Sequence, residues 1–193
     1  FEPVFREGRM LIPDGASAVA VGDRVTMVLY PSGELYCWGA AGLGECGYGQ
    51  GSTAAAAALP DLRGFVPSGR QVHAVVVSDF HTCVLGRQPP TGSPVGVACW
   101  GVNDDGQLGH RDSTRVGTLE AASTVADISF SLPASVEPIS ISANGYATCV
   151  LFSDGISLQC WGRNTLGVLR RDRSLYPNFG SGDTALATAP PVT

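Results

Sequence analysis

Six cysteines are the residues of this 193-residue chain best placed to do chemistry, and that chemistry is oxidation in pairs. Cys149 and Cys160 sit on two apolar runs that meet at Asp154-Gly155. That dipeptide best supplies the two positive-φ residues of a type I′ hairpin turn. With Asp154 and Gly155 as the loop, opposed residues have numbers that sum to 309, so Leu151 faces Leu158 and Cys149 faces Cys160. The turn puts this pair at a hydrogen-bonded position, with Cα atoms about 5.5 Å apart and within disulfide reach. Pairs that sum to 182 match Cys83 with Cys99 in the same way, across a long loop from Gly86 to Gly96. Around Pro31-Ser32-Gly33 the sum is 64, and Cys37 meets Met27 instead. Cys46 is then the one sulfur left for Cys37, but it stands in the slot of Leu108 and Leu169. A Cys37–Cys46 bridge and plain apolar packing both stay open. Stapled hairpins imply an oxidising compartment; the alternative is buried thiols, since Cys is among the most buried residue types.

No other residues assemble into a reactive set. His73, His81 and His110 lack metal-ligand spacing, and the chain has no Cys-x-x-Cys. His81 corresponds to Val25 and Ala147 in the repeat described below, so its position reads as packing. Asn103-Asp104-Asp105-Gly106 has the oxygens of a Ca²⁺ loop without the later acidic ligand, and reads as a turn. Nucleophile-elbow, phosphate-loop and dinucleotide motifs are all missing from the sequence. We expect no enzyme activity, no catalytic residue, no metal and no cofactor.

The elements that hold the cysteines recur. Cys-Trp-Gly triplets start at residues 37, 99 and 160, a period of 62 and then 61. They contain Trp38, Gly39, Trp100, Gly101, Trp161 and Gly162, and each leads into a glycine-rich turn. Each hairpin follows an apolar strand and a corner at Gly22, Ser78 or Asn144, where Gly and Asn tolerate the left-handed region and Ser does so less readily. Strand, corner, hairpin and glycine turn at a fixed period read as a propeller or solenoid unit.

The stretches His81-Thr82-Cys83-Val84-Leu85 and Cys99-Trp100-Gly101-Val102-Asn103-Asp104-Asp105-Gly106-Gln107-Leu108-Gly109 resemble the regulator-of-chromosome-condensation repeat family. The third copy keeps Ala147-Thr148-Cys149-Val150-Leu151 and Cys160-Trp161-Gly162-Arg163-Asn164, while the first is divergent, with Ala40-Ala41 in place of Val102-Asn103. The resemblance implies an all-β fold, a partial β-propeller of three four-stranded blades from an array that usually has seven. Asn103 and Asn164 belong to its motif. The boundaries follow: an N-terminal arm, 1–10; blade one, 11–51; a linker and lead-in, 52–70; blade two, 71–117; a second linker and lead-in, 118–137; blade three, 138–171; and an irregular segment, 172–193. Ala189 to Thr193 reads as the lead-in to a fourth blade.

Composition narrows the partners. Net charge is −5 and every basic residue is Arg, so a phosphate backbone finds no clustered positive charge and nucleic acid is not an expected partner. No apolar run approaches the roughly 18 residues of a membrane span. Arg163, Arg170, Arg171 and Arg173 form the one basic patch, which either meets an acidic partner or is simply solvated. We expect a disulfide-stabilised interaction or structural scaffold, extracellular or lumenal, whose sheet edges pair with other chains or with missing blades. A nucleotide-exchange factor for a small GTPase, or a chromatin-associated regulator, in the cytoplasm or nucleus, is the alternative that the resemblance implies. A secreted protein inhibitor of this fold is the second.

Overall fold

The computed structural model describes residues 4–6, 9–12, 14–40, 42–49, 63–65, 70–87, 96–118, 120–169 and 178–179. Within them the chain is all-β. The strands are β1 (Val4–Arg6), β2 (Arg9–Leu11), β3 (Ala18–Val21), β4 (Val25–Leu29), β5 (Leu35–Gly39), β6 (Arg63–Phe65), β7 (Gln71–Val77), β8 (His81–Arg87), β9 (Gly96–Gly101), β10 (Pro138–Asn144), β11 (Ala147–Phe152), β12 (Leu158–Arg163) and β13 (Asn178–Phe179). Strands β3-β4-β5-β6 form blade one, β7-β8-β9 blade two and β10-β11-β12-β13 blade three, each in chain order. Strands β1 and β2 pair as a separate antiparallel ribbon within the N-terminal arm, which reaches Leu11.

The register is the expected one throughout. Met27 opposes Cys37, Cys83 opposes Cys99, and Cys149 opposes Cys160. The turn that was expected to set it is different. Gly155 takes φ 73° while Asp154 does not, Arg111 being the one non-glycine with positive φ among the described residues. Phe152 N–H donates to Ser157 O at 3.1 Å, so residues 153–156 form a four-residue loop. The Asp154 carboxylate closes it by accepting the N–H groups of Ile156 and Ser157, in place of a type I′ turn. Moving the hydrogen-bonded pair from Ser153–Ile156 to Phe152–Ser157 inverts the alternation along the hairpin. Cys149 and Cys160 therefore fall at a non-hydrogen-bonded position, with Cα atoms 4.1 Å apart instead of about 5.5 Å.

The corners also depart from expectation. None of Gly22, Ser78 and Asn144 is left-handed. Ser78 Oγ accepts from the Phe80 and His81 N–H groups, and Asn144 Oδ1 from those of Tyr146 and Ala147. A side-chain-capped turn needs no positive φ.

Three boundaries need correction. Arg63–Phe65, placed in a linker by the sequence, is the outer strand of blade one, with Phe65 opposite Leu35. Asn178–Phe179, placed in an irregular segment, is the outer strand of blade three, with Phe179 opposite Gly162. Blade two has three strands among the described residues, not four. Its outer edge is reduced to a bridge between Val116 and Gly101 and one bond from Ile128 N–H to Val97 O. Both lie 63 residues from a blade counterpart, Ile128 after Phe65 and Val116 before Phe179. The stretch 118–137 is also more than a linker. Ala122 is buried in the core beside Trp100, and the Phe130 ring packs edge-on against Phe152 at 5.0 Å.

Two apolar clusters make the core, one at each contact between blades. The front face of blade two presents Val84, Ala98 and Trp100 to Met27, Leu29, Leu35 and Cys37 on the back face of blade one. The back face of blade two presents Cys83, Leu85, Val97 and Cys99 to Val150, Phe152 and Trp161 of blade three. Alternation along each strand sends successive side chains to opposite faces, which is why one repeat serves both neighbours.

Candidate functional site

The seams between blades are where the motif residues converge. The Cys-Trp-Gly glycines come first, because they let the strand turn. Gly39, Gly101 and Gly162 take φ 121°, 114° and 108°, and a Cβ at each would land on the carbonyl oxygen of Arg24, Phe80 or Tyr146. The tryptophan just before the glycine then points across the seam.

Trp100 Nε1 donates to Glu45 O at 2.9 Å, and Thr82 Oγ1 donates to the same oxygen at 2.8 Å. One repeat later, Trp161 Nε1 and Thr148 Oγ1 donate to Gln107 O at 2.9 and 3.0 Å. Both tryptophans and both threonines are fully buried. A carbonyl in the glycine turn of one blade is thus satisfied on both lone pairs by fully buried donors of the next blade. Asn103 and Asn164 build that turn. Each is buried and accepts a backbone N–H five residues on, from Leu108 and Leu169.

Cys37 and Cys83–Cys99 face the two seams, and Cys149–Cys160 lies on the back face of blade three with Leu151 and Leu158. Disulfides join Cys83 to Cys99, Cys149 to Cys160, and Cys37 to Cys46. The last ties β5 to its own glycine turn, where the second copy has Leu108 in the slot.

Each seam also has side chains of its own. In the first, Glu45 is buried beside Arg24 Nε at 2.9 Å and accepts Leu43 N–H at 3.0 Å; burial nevertheless pushes its carboxyl above the usual range. In the second, His81 is fully buried, with Nδ1 2.7 Å from Ser78 Oγ and Nε2 2.7 Å from Thr148 Oγ1. Burial drives its pKa down to about 4, so the ring is neutral at pH 7. Arg163 Nη2 reaches Asp105 Oδ2 at 2.6 Å while its guanidinium lies 3.7 Å from the centroid of the Tyr146 ring.

Arg163 is therefore committed to the second seam and not to a free basic patch; Arg170, Arg171 and Arg173 lie outside the described residues. His110 is half-buried and His73 is exposed on β7. No group of three or more His, Cys, Asp or Glu side chains could hold a metal ion among the described residues, and no helix there is long and apolar enough to cross a membrane. The interblade bonds were not legible from sequence. The threonine and the tryptophan recur in every repeat, yet nothing in a linear spacing says that both aim at one carbonyl of the preceding unit.

At the two ends the device is half-built. Trp38 and Thr26 are the blade-one counterparts of Trp100 and Thr82, and both are half-buried, with no side-chain hydrogen bond among the described residues. Trp38 borders a cleft of about 400 Å³ with Ile12, Ala18, Val19 and Val28, and Val19 and Val21 are exposed at 65% and 68%. On the far side, Leu151, Leu158, Leu166 and Val168 are exposed, Leu166 at 84%, where Leu85 and Val97 of blade two are buried.

This geometry is that of known propellers. Yeast RCC1 (Prp20) bound to Kap60 superposes with a TM-score of 0.59 at 22% identity, covering 84% of this chain and 31% of that one. The fold is an RCC1-like β-propeller. Prp20p from Saccharomyces cerevisiae, in a structure described with its binding properties to Gsp1p and histones, gives a TM-score of 0.59 at 15% identity, covering 83% and 36%. Human WBSCR16 gives 0.55 at 19% identity, covering 77% and 34%. The chain spans about one third of the length of each of these structures. At these identities the likeness concerns the fold. No protein-family model matches the sequence, and no curated protein matches it.

Proposed function

We propose that this propeller array works as a non-enzymatic interaction scaffold, disulfide-stabilised and part of an extracellular or lumenal assembly. It binds through its two terminal faces, and the natural occupant of each is another blade-like sheet, from a further repeat or another chain. One observation carries the reading: among the described residues, the carbonyl-capping device is complete at both internal seams and stands half-built at both ends, beside exposed apolar side chains. Surface of this kind on a folded domain marks an interaction site.

The test is dye binding. The folded, oxidised chain should bind 1-anilinonaphthalene-8-sulfonate, and Val21→Lys and Leu158→Lys should each lower the signal with far-UV circular dichroism unchanged. A folded chain that binds no dye would overturn the scaffold reading. The compartment has its own check: mass spectrometry of the chain denatured without reductant should count no free thiol, and six reactive thiols would remove the extracellular or lumenal assignment.

A second reading, exchange of nucleotide on a small GTPase, has the likeness to Prp20 behind it. Accelerated release of a fluorescent guanine nucleotide from a small GTPase, at catalytic amounts of this chain, would favour it over the scaffold.

A further inference from the structure

Blades one and two finish their outer edges differently. On β5 of blade one, Cys37 turns its N–H and C=O outward, and a single phenol answers both. Tyr48 Oη accepts the N–H at 3.2 Å and donates to the carbonyl oxygen at 3.0 Å. One repeat of 62 residues later, Cys99 is the counterpart of Cys37 and His110 the counterpart of Tyr48. The edge of β9 is met at Val97 by Ile128 and at Gly101 by Val116, on either side of Cys99. Cys99 itself makes no outward main-chain bond among the described residues. His110 Nε2 is buried and has no partner. An imidazole is shorter than a phenol and carries no hydroxyl to offer the strand.

A cleft adjoins this point. After Val116 the chain leaves the edge, makes the short helical turn Ala122–Thr124, and returns at Ile128. It encloses about 290 Å³ against His110 and Arg111, with Val116, Val125 and Ile128 as an apolar wall. That is close to the smallest small-molecule sites, which begin at about 300 Å³. Arg111 takes φ 69° where its counterpart Gly49 takes 67°. A left-handed arginine is costly, and such outliers gather at ligand clamps. The Arg111 guanidinium has no ion pair or hydrogen bond among the described residues. A planar guanidinium stacks on aromatic rings, as that of Arg163 does 3.7 Å from the Tyr146 centroid. Asp127 is held by Arg70, and Glu120 offsets Arg111, so the lining favours a neutral ligand.

We propose that this cleft binds a small neutral phenol, its ring against Arg111 and the apolar wall. Its hydroxyl donates to Cys99 O and accepts from Cys99 N–H and His110 Nε2–H, as Tyr48 Oη serves Cys37 in blade one. The site lies away from both terminal faces and does not depend on what covers them.

The probe is para-cresol, which is the tyrosine side chain cut free. Titrated into the full oxidised chain, it should move the Cys99, His110 and Arg111 amide signals in nitrogen–proton spectra along one saturable isotherm. Its methyl ether keeps the ring but cannot donate, and should bind about tenfold more weakly. His110→Tyr writes the blade-one hydroxyl into blade two and should abolish binding, with disulfide content and far-UV circular dichroism unchanged. Arg111→Gly, which suits the left-handed backbone, should bind about threefold more weakly. Shifts that never saturate, or that pass Cys99 by, overturn the site and reduce the cleft to solvent. An ether as tight as the phenol, a folded His110→Tyr chain that still binds, or an Arg111→Gly chain that binds like the parent overturns it too. The ether and Arg111→Gly decide the matter even should His110→Tyr not fold.

Discussion

The first and second seams share one backbone device and differ in almost everything around it. Both satisfy a glycine-turn carbonyl with a buried Trp and a buried Thr. Around that point the first seam adds main-chain bonds, Gly49 N–H to Gly117 O and Ala122 N–H to Gly47 O, while its buried carboxylate, Glu45, finds its side-chain partners within its own blade. The second spans the gap with His81–Thr148 and Asp105–Arg163. The shared part does not depend on which side chain follows, since its acceptor is main chain. The variable part can therefore decide which blade fits which, at no cost to the joint itself.

The largest effect should come from the shared part. Trp100→Ala and Trp161→Ala each empty a fully buried ring site and leave one carbonyl lone pair unmet. Either should cost about 3–5 kcal/mol in chemical denaturation of the oxidised chain. Near-equal losses at the two seams are expected. A loss at one seam more than twice that at the other would show that the devices are not equivalent.

The next effect separates the seams. His81 is held neutral, with a pKa of about 4 against 6.5 for an exposed ring, because burial disfavours the cation. The unfolded chain takes up this proton first as pH falls. Stability from His81 is therefore full above pH 6.5 and drains away between 6.5 and about 4, by an amount on the order of 3 kcal/mol. His81→Val, which writes Val25 of the first repeat into the second, should flatten denaturation midpoints over that window. A variant as pH-sensitive as the parent would place the proton uptake elsewhere. Amide exchange should show the second seam loosening before the first.

What the sequence disclosed follows from where the information lies. Pairing sums around three hairpins placed Met27–Cys37, Cys83–Cys99 and Cys149–Cys160 correctly, because register is a counting property that survives a change of turn type. The hydrogen-bond parity of Cys149–Cys160 was misread for the same reason: it depends on which residues close the loop, and the Asp154 side chain chose a four-residue closure. The outer strands at Arg63–Phe65 and Asn178–Phe179 were missed because two or three residues carry no period. The disulfide of Cys46 is not decided by the sequence, because its repeat slot also accepts leucine. The seam itself was illegible, since its acceptor is a carbonyl and a carbonyl leaves no mark on residue type.

The smallest expected effect tests the idea that side chains around the shared device sort the blades without holding them. Arg163 is more than one third exposed at its side chain while Asp105 is nearly buried, so the pair is screened and its net contribution is about 1 kcal/mol or less. The Tyr146 ring beneath the guanidinium adds a contact that survives loss of Asp105. Asp105→Asn should therefore change stability by less than about 1 kcal/mol at low salt. Exchanging the pair as Asp105→Leu with Arg163→Val, which writes the Leu43 and Val102 set of the first seam into the second, should be close to neutral. The mixed variant Asp105→Leu alone strands the guanidinium against an apolar neighbour and should be the worst of the three. That ordering is the signature of a matching rule, and a mixed variant no worse than the matched double would mean that these positions carry no selectivity.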